Sequence, residues 1–185
     1  AALTLALEHP GKVGALALIA PLTHTDGTVP PAFRALAIES ARLRTLFAWT
    51  LAVPAGILGS KRVLRQVFAP EQPARDFATR GGGLLSLRPS QFLASAGDLL
   101  ALREHMPLLA QRYGKLAALG IPVHVLFGRG DRILDWQVNG QALAAKVAGC
   151  RLERAAGGPM LPVTRAARTA RFIEEAVAAR RAAAA

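Results

Sequence analysis

Asp131 ends the stretch "FGRGD", and "AAGGPMLPVT" fills residues 155–164. An aspartate just past a glycine turn can orient a neighbouring base and stabilise its protonated form. A glycine pair between a strand-like run (150–154) and a helix serves to bring one side chain to a surface. The side chain presented here is Pro159, which can neither give nor take a proton. Few other residues have chemical capacity. The one cysteine, Cys150, excludes an internal disulfide and a multi-cysteine metal site, and reads as an inert buried thiol. Of the four histidines, His9 ends a helix beside a proline, and His105 lies in a polar, solvated segment. His124 falls inside an apolar run and reads as a satisfied core residue. His24 follows an apolar run, with Asp26 two residues on, where it would line a pocket. No histidine pair has HExxH spacing, so no metal and no cofactor is expected. Gly81-Gly82-Gly83 has no following Lys-Ser/Thr and reads as a flexible joint, not a phosphate loop.

The elements around these residues set their positions. Residues 1–9 have a helical pattern, stopped by His9-Pro10-Gly11-Lys12. "VGALALIA" (13–20) is short and wholly apolar, as a strand buried on both faces of a parallel sheet would be. "PLTHTDGTVPP" (21–31) is a loop. Helical patches follow at 32–50, 59–69 and 89–118, broken by "APEQPARDFATRGGG" (69–83), with no second buried strand among them. "GIPVHVLFGRGD" (120–131) is a second strand, 136–147 a helix weakened by Gly140, and 149–156 a third strand. Asp135 reads as the N-cap of that helix. A last helix, 164–181, takes Thr164 as its N-cap and Phe172, Ile173, Ala176 and Val177 as its apolar face. The expected class is α/β: part of a mostly parallel sheet, from 1–24 and 119–185, with an all-helical insertion over 25–118.

In an open α/β sheet, ligands bind beyond the carboxyl ends of the strands. "PLTHTDG", "GRGDRILD" and "GGPMLPV" all fall there. With these segments in place, the sequence resembles the α/β-hydrolases. "EHPGKVGALALIAP" is similar to the helix and strand that follow that family's nucleophile elbow, "FGRGDRILD" to its acid-bearing turn, and "GGPMLPVT" to its histidine-bearing turn. The resemblance covers nearly the whole chain outside the variable helical cap. It implies a capped pocket and hydrolysis of an ester-like bond by a serine nucleophile. It places the triad acid at Asp131 and the triad histidine where Pro159 stands. It places the serine elbow before Ala1, since the chain contains no Gly-x-Ser-x-Gly. "LASAG" (93–97) has Leu93 where the elbow needs glycine, and it falls in a helical patch. His24, Trp49 and Met160 are the candidate substrate contacts. On this reading the 185 residues alone are inactive, two triad members being absent. The alternatives are a degenerate, non-catalytic binder of an apolar ligand, and a non-functional gene fragment.

Composition narrows the partners. The net charge of +11 comes from scattered Arg, without aromatic interleaving or a reading motif, so nucleic acid is not the expected partner. A hydrophobic fraction of 52% fits a folded domain. The expected partner is a small apolar substrate or ligand. "TLFAWTLAVPAGILGS" (45–60) is uncharged but shorter than a membrane span, and Pro54 and Gly56 interrupt it. It reads as a pocket-lining helix pair, with a membrane-touching lid as the minor alternative. The single thiol fits a reducing, cytoplasmic setting.

Overall fold

The structure, a computed structural model, describes residues 1–25 and 28–183. Its centre is a three-stranded parallel sheet, β1 (Leu16–Ile19), β2 (Val123–Gly128) and β3 (Arg151–Ala155), in the order β1-β2-β3. Leu16 pairs with Val123 and Ile19 with Leu126, while His124 pairs with Arg151 and Gly128 with Ala155. β2 is central and buried along its whole length. Its alternation divides the core. Val123, Val125 and Phe127 pack with Leu3 and Ala6 of helix α1 (Ala2–Glu8), with Tyr113 and Leu116, and with Leu143 and Val147. Leu126 packs on the opposite side with Leu161 and Phe172, beneath helix α7 (Ala166–Ala183).

Between β1 and β2 the described residues form helices and turns only. The main ones are α2 (Ala41–Thr50), α3 (Ala52–Phe68) and α4 (Pro89–Gln111), with α2 packed on both α3 and α4. Short 3-10 turns occupy Pro31–Leu36, Gly83–Leu87 and Tyr113–Leu119. Ser40 caps α2 by accepting the Leu43 N–H. The "LASAG" stretch lies inside α4, not in a strand-to-helix elbow.

Several local expectations need correction. β1 buries Leu16 and Leu18 but leaves Ala17 and Ile19 half-buried, because it is an edge strand and the cluster on that side is small. β3, the other edge, is mostly half-buried or exposed along its charged sequence RLERA. Pro54 and Gly56 do not interrupt the 45–60 stretch. The break falls at Leu51, and Pro54 sits in the first turn of α3, where a missing N–H costs nothing. α2 and α3 meet at a bend of 76°. Among the described residues no single helix is long and apolar enough to cross a membrane. Thr164 caps nothing. It ends the short helix α6 (Leu161–Thr164), where its hydroxyl donates to the Met160 carbonyl at 3.1 Å. α7 buries Thr169, Phe172 and Ala176, an i, i+3, i+7 stripe, and leaves Ile173 and Val177 about half exposed. The 136–147 helix is a π-turn over Gln137–Gln141 followed by α5 (Ala142–Lys146). Gly140 is the reason for close packing there. A Cβ on it would stand 2.9 Å from Leu152 Cδ1 and from Phe127 Cε2.

Candidate active site at the carboxyl edge of the sheet

β2 delivers Asp131. Its Oδ1 accepts two backbone N–H groups, from Ile133 at 2.8 Å and Leu134 at 2.9 Å, and so fixes the turn. Its Oδ2 is buried with no hydrogen-bond partner among the described residues. Burial raises the carboxyl's pKa above the ordinary value of 3.8, against the two N–H bonds, which lower it. Half of this carboxylate therefore shapes the loop. The other half is held out of water without a partner.

β3 delivers Pro159. The glycines before it allow the two turns to meet. The Gly130 N–H donates to the Gly157 carbonyl at 2.8 Å, and the Arg129 N–H donates to the Ala155 carbonyl at 2.8 Å. A Cβ on Gly128 would overlap the carbonyls of Gly157 and Gly158, and Gly157 has φ +129°. The Asp131 turn and the Pro159 turn are thus joined backbone to backbone. Pro159 and Met160 are half-buried, and Met160 serves as the N-cap of α6.

A third segment, one that sequence pattern does not point to, reaches this junction from the helical insertion. Residues 69–71 lie across both turns. A Cβ on Gly158 would overlap the Ala69 carbonyl, and one on Gly130 would come within 2.7 Å of Pro70 Cδ. Glu71 Oε2 accepts the Gly158 N–H at 3.0 Å, and its Oε1 pairs with Arg165 at 3.4 Å. Arg165 also donates through Nε to the Ala156 carbonyl at 3.3 Å. A carboxylate of the insertion thereby holds the N–H just before residue 159.

β1 delivers His24 on a loop pinned by Asn139. The Asn139 side-chain oxygen accepts the N–H groups of Thr23 and His24, at 2.9 and 3.1 Å. The Tyr113 hydroxyl donates to the Thr23 carbonyl at 2.8 Å, and burial pushes that phenol's pKa up to about 12. Thr23 Oγ1 gives its only hydrogen to the Asn139 carbonyl at 2.7 Å. Its 2.9 Å contact with His24 Nδ1 then requires the proton to be on Nδ1. Nε2 is left with a free lone pair, buried and without a partner among the described residues. Burial, then the charge of Lys146, lowers the pKa of this imidazole, so at neutral pH it is an uncharged acceptor. Asp26 lies outside the described residues.

The remaining candidates fall elsewhere. Trp49 is 69% exposed on α2, with Leu43 and Leu46 also exposed. Neither it nor His24 nor Met160 lines the cavity within the insertion. His124 is buried, as expected, but not satisfied. Its Nδ1 has no partner among the described residues, its ring lies 6.0 Å from that of Phe172, and burial lowers its pKa. His9 and His105 are exposed. The Cys150 thiol is half-buried, with its pKa pushed up to about 11 by burial, which suits an unreactive thiol. Asp135 does cap its helix, accepting the Gln137 N–H at 2.7 Å. Among the described residues no group of three metal-ligating side chains comes together.

No protein-family model matches this chain, and no curated protein matches it. A solved structure does. The enol-lactonase from Burkholderia xenovorans LB400 superposes with a TM-score of 0.56 at 18% sequence identity, over 95% of this chain and 60% of that one. The chain thus spans about 60% of the length of the structure it matches. With its parallel sheet, its helical insertion and its turns at the carboxyl edge, this chain carries part of the α/β-hydrolase fold.

Proposed function

We propose that this chain is the acid-bearing portion of a serine-type hydrolase acting on a small apolar ester-like substrate, with proline at the position of the base. The observation that carries this reading is Asp131 Oδ2, a buried carboxylate oxygen without a partner on a turn joined to the one that presents residue 159. Natural proteins rarely leave such an oxygen unpaired unless a site needs it. In the mechanism of an intact enzyme of this kind a serine attacks the carbonyl and a histidine, at the position Pro159 occupies here, takes its proton. Asp131 would orient that imidazole and stabilise its cation, and backbone amides would hold the oxyanion. The serine would come from a segment N-terminal to these residues, because the sequence holds no Gly-x-Ser-x-Gly. With Pro159 in place of the base, the 185 residues would be catalytically silent.

The test is hydrolysis of p-nitrophenyl butyrate by the chain and by its Pro159→His variant. Both are expected at background, since neither holds the nucleophile. Turnover by Pro159→His that Asp131→Asn abolishes would overturn the placement of the nucleophile outside these residues. A second reading, a non-catalytic binder of an apolar ligand, is favoured by Pro159 itself. It predicts saturable ligand binding by the unaltered chain and no gain of hydrolysis when an upstream serine segment and Pro159→His are supplied together.

A further inference from the structure

The helical insertion forms an open cavity of about 630 Å³. Its lining comes entirely from residues between Phe33 and Ser95, so Asp131, Pro159, His24 and Met160 take no part in it. Phe33, Phe47, Phe77 and Phe92 supply aromatic walls, and the Phe47 and Phe92 rings lie 5.3 Å apart. Among the described residues no lining side chain carries a charge. Two of the three serines there are turned to backbone, Ser60 donating to the Ile57 carbonyl at 2.8 Å and Ser86 to the Gly83 carbonyl at 2.6 Å. Ile57 and Leu84 belong to the lining and are 57% and 53% exposed, so the cavity opens to solvent.

We propose that this cavity is a binding site in its own right, for one uncharged, predominantly hydrocarbon molecule. Its volume falls within the roughly 300–1,000 Å³ range of small-molecule sites. An ion entering it would lose its hydration and find no counter-charge, which excludes charged ligands. An apolar molecule would gain dispersion contacts with the four phenyl rings and exchange water for them. The proposal does not rest on the hydrolase reading, since the two sites share no residue.

Gly59 makes the site testable. It lines the cavity from within α3, and a Cβ there would meet nothing within 4 Å. A larger side chain at this position fills the space, while loss of a mid-helix glycine favours the helix. The probe is N-phenyl-1-naphthylamine, an uncharged aromatic fluorophore, titrated into the whole chain. One saturable site is expected, and Gly59→Phe should weaken it about tenfold or more with no fall in thermal midpoint. Gly59→Leu, a smaller plug, gives the same reading if the phenylalanine distorts α3. Trp49→Ala should leave binding unchanged, because Trp49 lies outside the lining. Dodecanol should displace the probe at a concentration at which dodecanoate does not. Unaltered binding in both Gly59 variants, loss of binding in Trp49→Ala, or equal displacement by the charged competitor would each overturn the proposal. Absence of saturable binding to the unaltered chain would do the same.

Discussion

The glycines at the sheet's carboxyl edge and Gly59 of the helical insertion serve opposite ends. At the edge, Gly128, Gly130 and Gly158 are where backbone meets backbone, and each would collide with a neighbouring segment if it gained a Cβ. In the insertion Gly56, Gly81 and Gly83 are crowded too, by Leu87, Phe77 and Ala78, but Gly59 on the cavity wall faces open space. The edge glycines bring three chain segments into register around Asp131 and Pro159. Gly59 leaves volume. The first group serves position and Gly59 serves room.

Substitutions at the two regions should therefore differ in sign as well as in size. The largest effect is expected at Gly158→Ala, whose methyl would overlap the Ala69 carbonyl. A backbone cannot yield as a side chain does, so urea denaturation should show a loss of about 3 kcal/mol or more. A loss under about 0.5 kcal/mol would mean that residues 69–71 do not press on this turn. Next comes Glu71→Ala, which leaves the Gly158 N–H without its acceptor and Arg165 without its partner. It should cost about 2 kcal/mol by the same measurement, and Glu71→Gln, which keeps an acceptor oxygen, should recover part of it. Gly59→Ala should run the other way, stabilising by about 1 kcal/mol through helix propensity alone. A loss there would close the space we assign to a ligand.

The smallest expected effect is one of pH. Asp131 has a raised pKa in the folded chain, so between its unfolded and folded values the folded state holds more protons. Its contribution to stability is then full below about 3.8, falls as pH rises through the folded pKa, and stays constant above it. Asp131→Asn keeps an oxygen for the Ile133 and Leu134 N–H groups and removes the ionisation. Stability curves of the two proteins should converge at acid pH, with the asparagine protein relatively more stable near neutrality. The reverse order near neutrality would mean that Asp131 has a cationic partner.

Some of this was legible in the sequence. β2 was readable because a central strand buries both faces, so "VHVLF" is apolar apart from His124 and bounded by turns. The place of Asp131 just past the end of β2 was readable because glycine punctuation marks where a strand ends. Ile173 and Val177 share the apolar face of α7 yet stay about half exposed, because periodicity reports which residues share a face, not how wide the covered stripe is. Glu71 was invisible as part of the site. It stands 87 residues from Gly158, and nothing in "APEQPARD" indicates what that turn will touch. Asn139 left a faint trace. It is an asparagine before a glycine in mid-helix, poor choices for a helix unless the side chain has other work, here two N–H groups of the Thr23–His24 loop.

In the proposed site Asp131 would face a base at position 159. The direct measurement is an NMR titration of the imidazole in Pro159→His, with and without Asp131→Asn. A carboxylate beside the ring should raise the imidazole pKa above its ordinary value of about 6.5, and the asparagine should lower it again by about one unit. An imidazole that titrates at or below 6.5 and ignores the Asp131→Asn change would contradict the assignment.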